Sequence, residues 1–166
     1  MDTPNGADAT SILLLIYGII AIYFLVVLFF AAVYYVLMGL SFMKLFRKVG
    51  VEPWAAWVPI FNVWRILELG GQQGWFSLFV LISPGAIVTV VFEAIAAHRI
   101  GLAFGKTGEW VVLFIFLPFV WAWILASDSA VYDPHLPAQR GYGPPLVGYG
   151  SARGPYVPAV PVPPTA

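Results

Sequence analysis

The sequence predicts an all-α integral membrane protein. Of its residues 61% are hydrophobic and only 10% are charged, whereas a soluble domain carries about 25% charged residues to cover its wet surface. No Asp, Glu, Lys, Arg or His occurs from residue 9 to residue 43. Long apolar runs then recur at 12–40, 75–97 and 110–126, and crossing a bilayer core takes about 20 apolar residues at 1.5 Å rise each. The predicted architecture is three transmembrane helices plus one interfacial or re-entrant amphipathic helix at 54–69, with a four-span bundle as the alternative. It divides into a short polar N-terminus (1–10), a helical membrane domain (11–127) and a Pro/Gly/Tyr-rich disordered tail (128–166).

The first run is longer than a crossing requires, so it tilts or extends beyond the hydrocarbon. It lacks the basic flank of a signal peptide and exceeds the roughly 7–15 residues of an h-region, so an uncleaved helix is expected. Lys44, Arg47 and Lys48 follow it and Gly50 ends it. Such a cluster sets topology and contacts anionic lipid. The positive-inside rule puts it in the cytoplasm and the N-terminus outside.

The second run, 75–97, carries Ser83-Pro84-Gly85 in its middle, which kinks the helix and requires neighbours to satisfy the freed backbone groups. Glu93 lies near its far end. The third run, 110–126, is interrupted by Pro118 and bounded by Glu109 and Asp128. Tryptophans at the ends of the apolar elements form the expected interfacial belt: Trp54, Trp57, Trp64, Trp75, Trp110, Trp121 and Trp123. Nine of the 14 prolines fall from Pro134 onward. A segment of that composition buries too little apolar surface to order itself. Its Pro155-Tyr-Val-Pro158-Ala-Val-Pro161 stretch has the spacing of a polyproline II ligand, so the tail is either a solvated spacer or a handle for a protein partner.

Residues 54–69 are the ambiguous element. On a helical wheel Trp54, Trp57, Phe61 and Trp64 share a side with Arg65 and Glu68, and aliphatic residues take the other. Arg65 and Glu68 are three apart and can pair. An interfacial helix keeps that pair at the headgroups; a spanning one buries it, with Asn62, at a cost that would mark a pathway. Asn62, Arg65, Glu68 and Glu93 are therefore the candidate intramembrane or interfacial polar residues.

Gly50…Trp54-Ala-Ala-Trp-Val-Pro59-Ile-Phe-Asn62, the Gly-x-x-Gly-Trp75 turn, Ala103-Phe104-Gly105-Lys106 and Leu117-Pro118-Phe119 ahead of Tyr132 carry a resemblance. Over roughly residues 40–133 the chain resembles a bacterial family of small multi-pass membrane proteins known only as a domain of unknown function. The resemblance implies a bacterial plasma membrane location and no established activity. Some similar proteins carry a signal peptidase I label. Ser41-Phe-Met-Lys44 has the Ser-x-x-Lys spacing that such chemistry uses, but Lys44 already belongs to the basic flank and no second polar constellation accompanies it.

Zero net charge removes a general attraction to nucleic acid. The absence of cysteine removes thiol chemistry, and His98 and His135 stand apart from any ligand cluster, so no metal or cofactor is expected. The function expected is a non-enzymatic membrane scaffold or interaction protein, with the bilayer and a tail-bound protein as partners. The alternatives are a small-solute or lipid transporter subunit using Arg65, Glu68 or Glu93, and a membrane-embedded enzyme such as a peptidase. The oligomeric state is open.

Overall fold

A computed structural model describes residues 5–82 and 85–149, and for residues 5–7 and 9 the backbone alone. The kink expected at Ser83-Pro84 and the docking motif at 155–161 lie outside them. Every described element is helical, and the chain divides into two compact units, Met1–Leu37 and Met38–Ala166.

The described part of the first unit, residues 5–37, lies within helix α1, Asn5–Val49. None of its described side chains from residue 10 to residue 36 is buried, although nearly all are Ile, Leu, Val, Phe, Tyr or Ala. The apolar run 12–40 amounts to about 43 Å of helix, more than a hydrocarbon core of about 30 Å. Helices α1 and α3 (Gly85–Ala103) are long and apolar enough to cross a membrane.

In the second unit the end of α1 buries Phe42, Leu45, Phe46 and Val49. Gly50, at φ 81°, closes the helix. Its left-handed backbone lets Val51 N–H donate to Phe46 O at 2.8 Å, which satisfies a terminal carbonyl and tucks Val51 into the core. The same closure recurs beyond α2 and α3 and before Tyr142.

The expected helix at 54–69 is two pieces: a 3-10 turn, Pro53–Trp57, and helix α2, Pro59–Leu69. Pro59 opens α2 because the first helical position needs no N–H donor. At 11 residues, about 16 Å, α2 is too short to cross a bilayer.

The continuous helices expected at 75–97 and 110–126 are also absent. The first is a 3-10 segment, Gly74–Leu81, followed by α3. The two run antiparallel. Gln72 Nε2 donates to Phe92 O at 3.0 Å, Phe76 stacks on Phe92 with centroids 4.3 Å apart, and Gly85 packs on Phe79. The second run is α4, Trp110–Phe116, and α5, Pro118–Leu125. They are about 10 Å and 12 Å long and pack on each other across Leu117. Phe114 meets the fully buried Trp121 edge to face at 5.1 Å. Both apolar runs are therefore hairpins. Their tips, Leu81-Ile82 with Ile87 and Ile115-Phe116-Leu117, are exposed.

The disorder expected from residue 128 does not hold for residues 128–149. Asp133 N–H donates to Ala103 O at 2.8 Å and Leu146 N–H to Glu68 O at 2.8 Å. Pro137, Pro145 and Gly148 are buried, and helix α6, Leu136–Gln139, packs on α3. Individual aromatic and proline side chains seat this segment, a signal that average composition hides. Residues 150–166 lie outside the described residues.

Candidate functional site

Charge gathers where the hairpins open. Arg65 Nη1 meets Glu68 Oε2 at 2.7 Å and Arg65 Nη2 meets Glu52 Oε2 at 3.2 Å. Glu68 Oε1 accepts from Trp64 Nε1 at 2.7 Å. The Arg65–Glu68 pair expected at i,i+3 is thus present, and the turn before α2 adds Glu52, whose side chain is 53% exposed. The Arg65 and Glu68 side chains themselves are only 22% and 18% exposed. Asn62 is buried on the same helix with Oδ1 unpaired. Glu93 is partly buried on α3 and pairs with none of the described residues.

Arg99 is the residue that sequence reasoning missed. It lies beyond the second apolar run, and three crossings would put it on the far side of the membrane from Gly70. Its Nη1 donates to Gly70 O at 3.2 Å and to Gly71 O at 3.4 Å, and its guanidinium lies 5.3 Å from the Tyr142 ring centroid. A lone cation after an apolar run looks the same in sequence whether it faces a far headgroup layer or returns to the near one.

Lys48 tells the same story. Its ammonium donates to Leu125 O at 3.1 Å and to Ser127 O, closing the end of α5, and lies 5.6 Å from the Phe104 ring centroid. Phe104 in turn touches Tyr132 at 5.1 Å. Residues 48, 104, 125 and 132, which the three-span reading divides between two sides, share one end of this unit.

Beside Lys48 lies an open cleft of about 690 Å³ whose lining includes Lys44, Arg47, Trp123, Ser127 and Asp128. Lys44 sits 4.8 Å over the Trp123 ring. Among the described residues Arg47 makes only a long contact, 3.8 Å, from Nη2 to the Met43 sulfur. Ser41 is fully buried and donates to Met38 O within its own helix.

Of the tryptophans expected at an interface, Trp54, Trp75 and Trp123 are exposed and Trp57, Trp64 and Trp110 partly so. Trp121 is instead a core residue. Trp54, Phe61 and Trp64 form one aromatic ladder, with successive centroids 5.5 and 6.4 Å apart.

Tyr132 locks residues 142–149 to the helices. Its hydroxyl donates to Gly148 O at 2.6 Å. Burial, with the neighbouring Tyr149 and Asp133 adding to it, pushes the Tyr132 phenol well above its ordinary value. Among the described residues no group of three His, Asp or Glu side chains is placed to hold a metal ion.

No curated protein and no solved structure matches the chain. Residues 54–134, from the turn ahead of α2 through both hairpins to the Tyr132 segment, match the model of DUF5684, a family of unknown function.

Proposed function

We propose that this chain is a non-enzymatic scaffold or interaction protein of the bacterial plasma membrane, which crosses the bilayer once through α1. The N-terminus lies outside, the region from Lys44 to Tyr149 sits in and on the cytoplasmic leaflet, and the Pro-rich tail is the handle for a protein partner. One observation carries the reading: Arg99 bonds the carbonyls of Gly70 and Gly71, so the apolar run between them leaves and re-enters the same end of its unit. The hairpin tips are the parts apolar enough to dip into lipid. The 11 residues 85–95 amount to about 16 Å of helix, roughly half a hydrocarbon core. All seven Lys and Arg residues from Lys44 to Arg140 then share one side, a stronger positive-inside bias than three crossings would give.

A transport pathway through Arg65 and Glu68 needs that pair inside the bilayer. Helix α2, which carries both residues, is about 16 Å long and too short to take them across a hydrocarbon core.

The chain has no cysteine, so single cysteines report topology cleanly. Gln73→Cys, Lys106→Cys and Arg140→Cys are expected to resist an impermeant thiol reagent in intact cells and to react in inverted vesicles. Labelling of Lys106→Cys from outside, with the other two protected, would restore three crossings. The scaffold role predicts that deleting residues 150–166 releases a cross-linked protein partner while the truncated chain stays in the membrane fraction. A partner retained by the truncated chain removes the tail from that role.

A further inference from the structure

The basic cleft continues into a groove of opposite character. Trp123 and Ser127 line both, and the groove, about 430 Å³, is otherwise formed by Phe119, Val120 and Ile124. It follows one face of α5, from the end where Lys48 caps the helix towards Pro118 at the exposed hairpin tip.

We propose that cleft and groove together are the binding site of one anionic glycerophospholipid, an assignment that rests on the membrane reading above. Arg47 is the principal phosphate ligand. Its guanidinium has only a thioether contact in its own structure, and its planar fork matches a phosphodiester. Lys44, held over the Trp123 face, adds a second charge, while Lys48 is already committed to backbone carbonyls. Asp128 on the cleft wall would repel a bare phosphate but accepts from a headgroup hydroxyl. An acyl chain lies along Val120 and Ile124 towards the apolar tip. Charge complementarity at one end and a continuous apolar floor at the other fit an amphiphile better than a free anion. Lys44 and Arg47 also follow directly on the apolar run 12–40, the depth at which a crossing helix meets headgroups.

The test uses the full chain in mild detergent. It is incubated with equal amounts of phosphatidylglycerol, phosphatidylethanolamine and phosphatidylcholine of identical chains, and retained lipid is counted by native mass spectrometry. One phosphatidylglycerol is expected to be retained in preference. Lys44→Gln/Arg47→Gln is expected to lower that retention by about fivefold per charge removed, from the usual worth of a near-surface cation. Arg47→Lys should restore part of it. Val120→Trp, which fills the groove and leaves every charge in place, should lower it too.

Equal retention of the three lipids, or an unchanged double variant with wild-type circular dichroism, overturns the proposal. Glycerol 3-phosphate and inorganic phosphate at millimolar concentration supply the headgroup chemistry without a chain. Neither should displace the lipid, and displacement by either removes the groove from the site. Release of the wild-type chain from vesicles by alkaline carbonate would defeat the membrane reading instead, and lipid retention in micelles is read separately from it.

Discussion

Gly70→Ala puts the folding of the second apolar run to a thermodynamic test. Gly70 follows α2 with φ −79° and ψ 6°, a conformation alanine adopts without strain. The added methyl, however, would lie 2.5 Å from Ala96 Cα and 2.6 Å from Ala96 Cβ. Ordinary contact lies between 3.4 and 4 Å, so α2 and α3 must part by roughly 1 Å or deform. Because one of the opposing atoms is backbone in the middle of a helix, no rotamer change relieves the clash. Overpacking of this kind costs about 1–3 kcal/mol, and the rigid partner argues for about 2. The assay is reversible denaturant unfolding of the full chain in micelles, followed by far-ultraviolet circular dichroism. The expected shift is about 2 kcal/mol at unchanged helix content.

The double variant Gly70→Ala/Ala96→Gly separates this contact from a general loss. Removing the Ala96 methyl alone destabilises α3 through glycine's helix propensity, by about 1 kcal/mol. In the pair it also removes the 2.6 Å contact with Ala96 Cβ while the 2.5 Å contact with Ala96 Cα remains, so the two changes should couple favourably by about 1 kcal/mol. In a chain whose residues 75–97 cross the membrane, positions 70 and 96 stand about 30 Å apart and their effects add. A Gly70→Ala cost below about 0.5 kcal/mol, or additivity within that error, would refute the hairpin.

Three further outcomes follow from named contacts. Lys48→Met keeps the stem but removes the ammonium that donates to Leu125 O and Ser127 O; with the group partly buried, about 1–2 kcal/mol is expected, and hydrogen exchange should rise first at residues 122–127. Tyr132→Phe loses the bond to Gly148 O, about 1 kcal/mol, and should expose residues 142–149 to limited proteolysis while α3 stays protected. The folded phenol titrates above the unfolded one, so its stabilisation is fully present below about pH 10 and is lost as pH rises beyond it; the alkaline slope of unfolding free energy should flatten in Tyr132→Phe. Arg65→Ala should cost about 1–2 kcal/mol and leave membrane seating of 54–69 weakened but present, because the pair is only 22% and 18% exposed while Glu68 keeps its bond from Trp64; loss of expression would contradict this.

Some of the fold was plain in the sequence. Composition alone marks residues 12–40 as a helix with no soluble surface, and Gly50 as its stop. Pro59 opens α2 and Pro118 breaks 110–126, as proline's missing donor and fixed φ require. The Arg65–Glu68 pair followed from i,i+3 spacing. The direction of the chain after each break was not legible. An apolar run of 17–23 residues with a proline inside is equally consistent with a kinked crossing and with a hairpin, because hydropathy averages carry no sense of direction.

What decides between them is the set of contacts between the two ends of each run, made by residues whose composition says nothing about their partners. Arg99 reaches back 28 and 29 residues to two carbonyls. Lys48 reaches forward 77 residues to close α5. Gly70 and Gly74 lack side chains where Ala96 and the Trp64 ring press against them. In each case a polar or small residue lies next to an apolar run, where a span-by-span reading assigns it to topology or to a turn. A cation flanking such a run therefore has two physical roles. At a headgroup layer it keeps its hydration and answers to the membrane potential and to lipid charge. Bonded to helix-terminal carbonyls it gives up part of that hydration and fixes the geometry of the chain. Lys48 and Arg99 take the second role, while Lys44 and Arg47, bonded to no carboxylate among the described residues, are left for the first in the membrane reading proposed above. That division within one basic cluster lets Lys48 hold the end of α5 while the guanidinium of Arg47 stays free for the lipid phosphate proposed above.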